Sequence, residues 1–444
     1  MNEPVAINST HGSHPAAAMN DRHANHDPVV IVGAARTPMG AFQGDFSSLS
    51  ASDLGAVAVR AAVERAGIAP ESVEHVYFGN CLMAGQGQAP ARQAAIKAGL
   101  PTSTGAVTLS KMCGSAMQAA IFAHDALAAG SADVVVAGGM ESMTNAPYLI
   151  PKARGGYRIG HGQMLDHMMY DGLEDAYSRN EKTGEGRSMG TFAEECVASY
   201  GFTREAQDAF AIASVKRAQD AASSGAFDWE IAPVSVPSRA GAIVIDKDEG
   251  PTRARPEKIP ALKPAFKPDG TITAASSSSI NDGAAALVMM RASRAHALGL
   301  PVLATIVGHA TFAQEPNLFT TAPIGALHKL FGKTGWKASD VDLYEINEAF
   351  AAVPMAAMHD LDIAHSKVNV HGGACALGHP IGASGARIIV TLLGALRQSG
   401  GKRGVAALCI GGGEATAMAI EAGDGLSAGL QAGFGGDQAQ AGGA

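Results

Sequence analysis

The chain repeats itself. Three segments recur in the same order at nearly one spacing, about 270 positions apart. Val30-Ile31-Val32-Gly33-Ala34-Ala35 returns as Thr305-Ile306-Val307-Gly308-His309-Ala310. Gly67 followed by Ser72 to Phe78 returns as Gly335 followed by Asp340 to Ile346, and Val134 to Gly139 returns as Ala406 to Gly412. An apolar strand ending in glycine is common, so one match says little; three in order at one offset are hard to reach by chance. A duplicated chain has to bury the same faces twice. Each half reads as β-α-β with short apolar strands of the kind buried on both faces, which predicts an α/β fold built on a mainly parallel sheet covered by helices. Gly114 to Ala129 reads as a small-residue helix and Gly382 to Leu396 as its counterpart. The other arrangement open to such a chain is two unrelated α/β domains.

A length of 444 residues supplies two or three domains. The expected division is a polar His-rich tail at 1–27, a first half at 28–145 plus 280–299, an interruption at 146–279, a second half at 300–423, and a Gly/Ala-rich tail at 424–444. The interruption begins irregularly, rich in Gly, Met and His. A helical stretch follows from Met189 to Ala222, with Thr203 as the N-cap of its second helix and Glu205 and Asp208 close behind. From Arg239 to Lys267 it carries seven basic and four acidic residues, which suits either an ordinary solvated loop or the docking of a polyanionic cofactor.

Net charge is −8, which argues against a general nucleic-acid or anionic-membrane binder. No apolar run is long enough to span a membrane, and the segment after Met1 lacks the pattern of a secretory signal. Five widely spaced cysteines with no CxxC pattern point to a reducing, cytoplasmic setting. The pairs His11/His14 and His23/His26 have no Cys or carboxylate to complete a coordination shell, so no metal site is expected. GxGxxG, Walker A and HExxH patterns are absent, which leaves nucleotide hydrolysis and zinc peptidase chemistry without support.

The chemistry concentrates in glycine-rich runs. Cys113 lies in Ser110-Lys111-Met112-Cys113-Gly114-Ser115-Ala116, at the start of the first predicted helix, where the helix dipole and free N–H groups favour a thiolate. A buried structural cysteine is the alternative. His379 lies in Gly378-His379-Pro380, on a turn that proline stiffens, a place for a general base. Cys409 follows the strand Val405 to Leu408 and precedes Gly411-Gly412-Gly413, whose backbone can approach a developing oxyanion. Asn347 ends the strand Leu343 to Ile346 and reads either as a donor to a water or carbonyl or as a helix N-cap. Cys81, Cys196 and Cys375 read as packing residues, with Cys375 near enough to His379 to line the site.

Together these runs resemble the thiolase family. The resemblance spans about Pro28 to Glu421 and includes Val32 to Pro38, Pro90-Ala91-Arg92-Gln93, Gly138 to Met143, Asn281-Asp282-Gly283-Ala284 and Asn347-Glu348-Ala349-Phe350, besides the Cys113, His379 and Cys409 runs. It implies a duplicated five-layer α-β-α-β-α fold with an inserted loop domain. It implies that Cys113 attacks an acyl-CoA and carries the acyl group as a thioester, that His379 takes the thiol proton, and that Cys409 exchanges a proton with the α-carbon of a second acyl-CoA. Asn347, with His379, would hold a water in one oxyanion hole; the backbone at Cys113 and Gly411 would form the other. Coenzyme A is then substrate and product, with no permanently bound cofactor and no metal. Ser278, Arg253, Met189 and Phe350 fall where the family contacts CoA, and the assembly implied is a homodimer, or a homotetramer in which dimers pair through the early part of the interruption, around Gly155 to Asp166.

The activity expected is that of an acetyl-CoA C-acetyltransferase, with ping-pong condensation of two acetyl-CoA. A 3-ketoacyl-CoA thiolase acting on longer chains is the alternative, and a silent acyl-CoA-binding relative is the alternative of another class. Three departures bear on this choice: Ser188-Met189-Gly190 where many members have His-Met-Gly, Ser276 to Ser279 in place of Gly-Asn-Ala-Ser-Gly, and Glu414-Ala415 where many have Met-Gly. A ketoacyl-ACP synthase would generally lack Cys409.

Overall fold

The computed structural model describes residues 27–428. Residues 1–26 and 429–444, which carry most of the two expected tails, lie outside the described residues. The described start of the C-terminal tail departs from expectation. Asp424–Ala428 is helical, and Leu426 is buried against the layer between the sheets, because an apolar side chain at that point gains more from burial than from solvent.

The first half holds strands β1 (Val29–Arg36), β2 (His75–Gly79), β3 (Gly105–Leu109), β4 (Val134–Ser142) and β5 (Asn281–Arg291). The second holds β6 (Ala304–Ala313), β7 (Leu343–Ile346), β8 (Arg403–Ile410) and β9 (Glu414–Ala422). The first half is ordered β3-β2-β4-β5-β1 and the second β7-β8-β9-β6. Val368 bridges in parallel to Tyr344 of β7, at the position that β3 holds beside β2. The same order twice is the structural form of the sequence repeat.

The sheet is mixed, not mainly parallel. β2 pairs in parallel with β3 and β4, and β7 with β8. β5 runs against both of its neighbours, and so does β9. The reason is local for β9: Gly411-Gly412-Gly413 is too short a link to join anything but antiparallel strands. The same hairpin puts Cys409 inside β8, paired with Ala415, rather than beyond the strand's end.

In the first half the helices are α1 (Ala51–Ala66), α2 (Pro90–Lys97) and α3 (Ser115–Ala128). The interrupting segment adds α4 (Met189–Tyr200), α5 (Arg204–Ser223) and α6 (Glu249–Arg253); the second half adds α7 (Ala322–Thr334), α8 (Ala352–Leu361) and α9 (Ser384–Ser399). Thr203 caps α5 as predicted, accepting from the Ala206 N–H at 3.1 Å. Three apolar clusters separate the layers. One lies under α1 and α2, one under α7 and α8, and a central one surrounds α3 and α9, which pack on each other. α9 is buried from Ser384 to Leu396, as befits a helix that is apolar on nearly every side. This is a duplicated α-β-α-β-α arrangement. The two half-sheets also join through backbone pairing of Val30 with Thr305 and Ile31 with Ala304.

The interrupting segment is tied to β1 by charge. The buried Arg36 guanidinium donates to Glu230 at 2.6 Å and to Asp248 at 2.7 Å. Removing one partner of such a pair costs about 3–5 kcal/mol, since the other charge is left dry and alone. Among the described residues no helix is long and apolar enough to cross a membrane.

Candidate active site

Cys113 sits on the tight turn that leads into α3. Met112, just before it, holds φ at 46°, a left-handed conformation that costs a non-glycine residue energy and persists only where neighbours enforce it. Ser115 is the enforcer: its hydroxyl accepts from the Lys111 N–H at 2.8 Å and donates to the Met112 carbonyl at 2.6 Å. The Cys81 thiol donates to the same carbonyl at 3.2 Å and lies 3.3 Å from the Ser115 hydroxyl. Cys81 is therefore part of the floor beneath Cys113, not a remote packing residue; nothing in its own sequence neighbourhood signals this.

The β8–β9 hairpin faces that turn. Gly412 and Gly413 have φ of 94° and 86°, which only glycine adopts cheaply, and the N–H groups of Gly411 and of Cys113 itself lie near enough to the Cys113 sulfur to favour its charged form. Cys409 is buried close enough for its ionisation to feel Cys113. Lys111 and Glu414 form an ion pair from turn to hairpin. Glu414, one of the departures from the family pattern, thus has a structural partner.

His379 arrives from the second half. Asn347 continues β7, and its N–H donates to Ala407 on β8 at 3.0 Å, so Asn347 lies beside the strand that carries Cys409. The nearest cap position, before α8, is Ala351, so Asn347 is not a helix N-cap. The turn from His379 to Gly382 presses on the first half so closely that a Cβ at Gly139 would come within 2.0 Å of the Gly382 carbonyl. That contact seats the start of α9 against the start of α3 and brings the histidine turn and the Cys113 turn to one place.

The hydrogen bonds fix the tautomer of His379. The Ser384 hydroxyl donates to the Pro380 carbonyl at 2.9 Å, so it accepts from the imidazole Nδ1, 2.6 Å away. Nδ1 therefore carries the proton and Nε2 the lone pair. Nε2 is buried without a protein partner, as is Oδ1 of Asn347, whose amide lies 3.5 Å from the ring. An unpartnered base nitrogen and an unpartnered amide oxygen in one dry place are what a proton-accepting, water-holding site requires.

The expected thiolate is absent in the resting site. Burial pushes the Cys113 thiol up to about 11, and the two N–H groups at the sulfur offset only part of that. Burial, aided by the Arg387 charge, pushes His379 down to about 3. Cys409 and Cys81 are likewise raised by burial. The Cys113 thiol and the His379 imidazole are therefore both neutral at neutral pH.

Descriptions of the thiolase N-terminal and C-terminal domains match residues 29–293 and 300–422. The chain belongs to the thiolase family. It is 48% identical to acetyl-CoA acetyltransferase 2 of Arabidopsis thaliana over 92% of this chain and 99% of that one. It is 48% identical to the acetyl-CoA acetyltransferase of Cupriavidus necator over 88% and 99%. Among solved structures, the Acat5 thiolase of Ascaris suum in complex with coenzyme A is 43% identical with a TM-score of 0.83, covering 89% of this chain and all of that one. The Bacillus anthracis acetyl-CoA acetyltransferase is 39% identical with a TM-score of 0.86, over 89% and 99%.

Three of the four expected CoA contacts of this thiolase cluster. Met189 lies beside Gly411, Phe350 is buried against Phe266 and Phe319, and the Ser278 N–H donates to Ala349 next to Phe350 at 2.9 Å. Arg253 stands apart: it is exposed and pairs with Glu249 at 2.5 Å, and among the described residues no hydrogen bond, ion pair or ring contact joins it to the other three. A cavity of about 240 Å³ opens beside the thiol turn, lined by Met112, Tyr177, Arg179, Met189, Gly411 and Gly412, among others. The basic stretch is more positive at its surface than its composition indicates, because Asp248 and Glu249 are buried and bond inward. Glu141, buried on β4, accepts from the N–H groups of Cys81, Leu82 and Gly382 and from Asn80, pinning the floor of the site to the start of α9. An acid inside an otherwise apolar strand was its signal.

Proposed function

We propose that this thiolase is an acetyl-CoA C-acetyltransferase that condenses two acetyl-CoA to acetoacetyl-CoA and CoA, reversibly and by a ping-pong course. The observation that carries the reading is a buried thiol whose charged form is favoured by the N–H groups of Cys113 and Gly411, with a second buried cysteine close enough to feel its charge and, on the turn packed against the same floor, a histidine whose free nitrogen is fixed as an acceptor. Curated relatives aligned over nearly their whole length bear that name.

In the first half-reaction Cys113 Sγ attacks the thioester carbonyl and its proton passes to Nε2 of His379. The oxyanion receives the N–H groups of Cys113 and Gly411, and the imidazolium returns the proton to the departing CoA thiolate. In the second, Cys409, having passed its own proton to His379, takes a proton from the α-carbon of a second acetyl-CoA. The enolate, stabilised by a water held between Asn347 and His379, attacks the acyl carbon, forms the carbon–carbon bond and expels Cys113 as a thiolate, which recovers its proton from the His379 imidazolium. Each preorganised donor is worth about 10²–10³ in rate. Ser278, Met189 and Phe350 line the approach of the pantetheine, and Arg253 with the exposed basic stretch faces the phosphates. CoA is substrate and product, not a resident cofactor.

The halves at 28–145 plus 280–299 and at 300–423 supply the chemistry, and 146–279 forms the loop domain for CoA and for oligomer contacts. Exposed Tyr148, Ile150, Ile159 and Met164 suit a dimer or tetramer interface there. The five free cysteines suit the cytoplasm. Mass spectrometry after brief exposure to acetyl-CoA tests the mechanism: an acetyl adduct on the Cys113 peptide is expected, and its absence sinks the covalent route. Comparing kcat/KM for thiolysis of acetoacetyl-CoA and of long-chain 3-ketoacyl-CoA tests the chain length. A preference for the long chain overturns the acetyl assignment.

A further inference from the structure

We propose that His124, Asp125 and His309 form a binding site for a divalent transition-metal ion, at the outer end of the central helix layer. His124 and Asp125 lie on α3 and His309 on β6, so the site is shared by the two halves, from residues 184 and 185 positions apart. It is separate from the thiol site: Asp125 is nearly three turns along α3 from Ser115, about 15 Å.

The geometry is that of a coordination triangle. His124 Nδ1 and Asp125 Oδ1 are 3.1 Å apart, His309 Nε2 and Asp125 Oδ1 3.1 Å, and the two nitrogens 3.2 Å. Ligands at the bond lengths of zinc with tetrahedral angles stand about 3.3 Å from one another, so an ion placed about 1 Å off the plane of this triangle reaches all three. Asp125 is half exposed, which leaves a fourth position to water.

Hydrogen bonding alone does not satisfy the triangle. If both histidines donate to Asp125, their two N–H groups face each other. If one histidine donates along both of its edges, the other's lone pair faces the carboxylate. Every assignment leaves one repulsive edge, and a cation bound by two lone pairs and a carboxylate removes it. The opposing charge nearby is Lys333, whose ammonium donates to the His309 carbonyl at 2.9 Å.

The test uses the full chain with His11, His14, His23 and His26 replaced by alanine, which removes the competing histidines of the N-terminal tail. Titration with Co²⁺ is expected to give one equivalent per chain, with visible bands of nitrogen and oxygen ligation and no sulfur charge-transfer band, displaced by Zn²⁺. His309→Ala and, separately, His124→Ala should abolish those bands and the accompanying rise in Tm. Acetylation of Cys113 should stay unchanged. Unaltered Co²⁺ binding in both variants overturns the site, and so does the lack of any nitrogen/oxygen-type binding in the parent.

Discussion

Ser384→Ala probes the tautomer of His379 without touching a reacting atom. The hydroxyl is the acceptor for Nδ1–H at 2.6 Å, inside a fully buried turn. Its own donation to Pro380 is dispensable, because that carbonyl also accepts from the N–H groups of Ala383 at 2.9 Å and Ser384 at 3.0 Å. Removing the oxygen strands one buried donor, which costs about 1–3 kcal/mol. The ring lowers that cost by moving its proton to Nε2, because the lone pair then left on Nδ1 can accept from the Asn347 amide 3.5 Å away, and in that tautomer Nε2 can no longer accept the Cys113 proton. The population of the competent tautomer, and with it the acylation rate, should fall by about 5- to 150-fold. Stopped-flow acetylation of the free enzyme measures it, with thermal unfolding as the control. Loss of stability should not exceed the worth of one hydrogen bond, about 1 kcal/mol. An acylation rate equal to the parent's would refute the assignment of the proton to Nδ1.

The pH behaviour of Cys113 follows from its dry setting. A thiol raised to about 11 keeps its proton at neutrality, so alkylation of the free enzyme by iodoacetamide should climb about tenfold per pH unit through the alkaline range; a plateau near neutral pH contradicts it. His379, lowered to about 3, stays a neutral base on the acid side, so kcat/KM should show no acid limb from it near pH 6.5. Cys409→Ser should retain acetylation of Cys113 and lose condensation, and full turnover in that variant would remove Cys409 from the proton transfer. Gly413→Ala places a Cβ 2.4 Å from the Gln314 carbonyl at a φ of 86°, a strain of about 1–2 kcal/mol before the clash is counted. Both Tm and turnover should drop, whereas Gly411→Ala, with Met189 no nearer than 3.6 Å, should keep the parental Tm.

The repeat, the two central helices, the Thr203 cap and the Cys113, His379 and Cys409 runs were legible because each is a local pattern. What escaped was set by contacts distant in sequence. The reversal of β5 depends on how the chain returns to the sheet after the long interruption. The raised Cys113 thiol depends on how many layers cover it, which a helix-terminus argument does not see. Cys81 beneath Cys113, Glu141 bridging two turns and Ser384 fixing an imidazole each join residues whose roles appear only once the halves are packed. Ser384 was nearest to being readable, five residues after His379 at the mouth of a helix.

The seam between the half-sheets has a consequence for how substrate enters. Val30 and Ile31 share backbone hydrogen bonds with Thr305 and Ala304, so the halves are stitched along one edge while α3 and α9 fill the space between them. A clamshell motion that parted the halves would tear main-chain bonds and expose the driest layer of the molecule. The thiol, at the meeting point of those helices, is therefore reached along a fixed passage and not through a hinged jaw. Whatever rearrangement admits and releases the two CoA molecules in turn falls to the looped segment between β4 and β5, which is anchored to the sheet by Arg36 and is otherwise free of the seam.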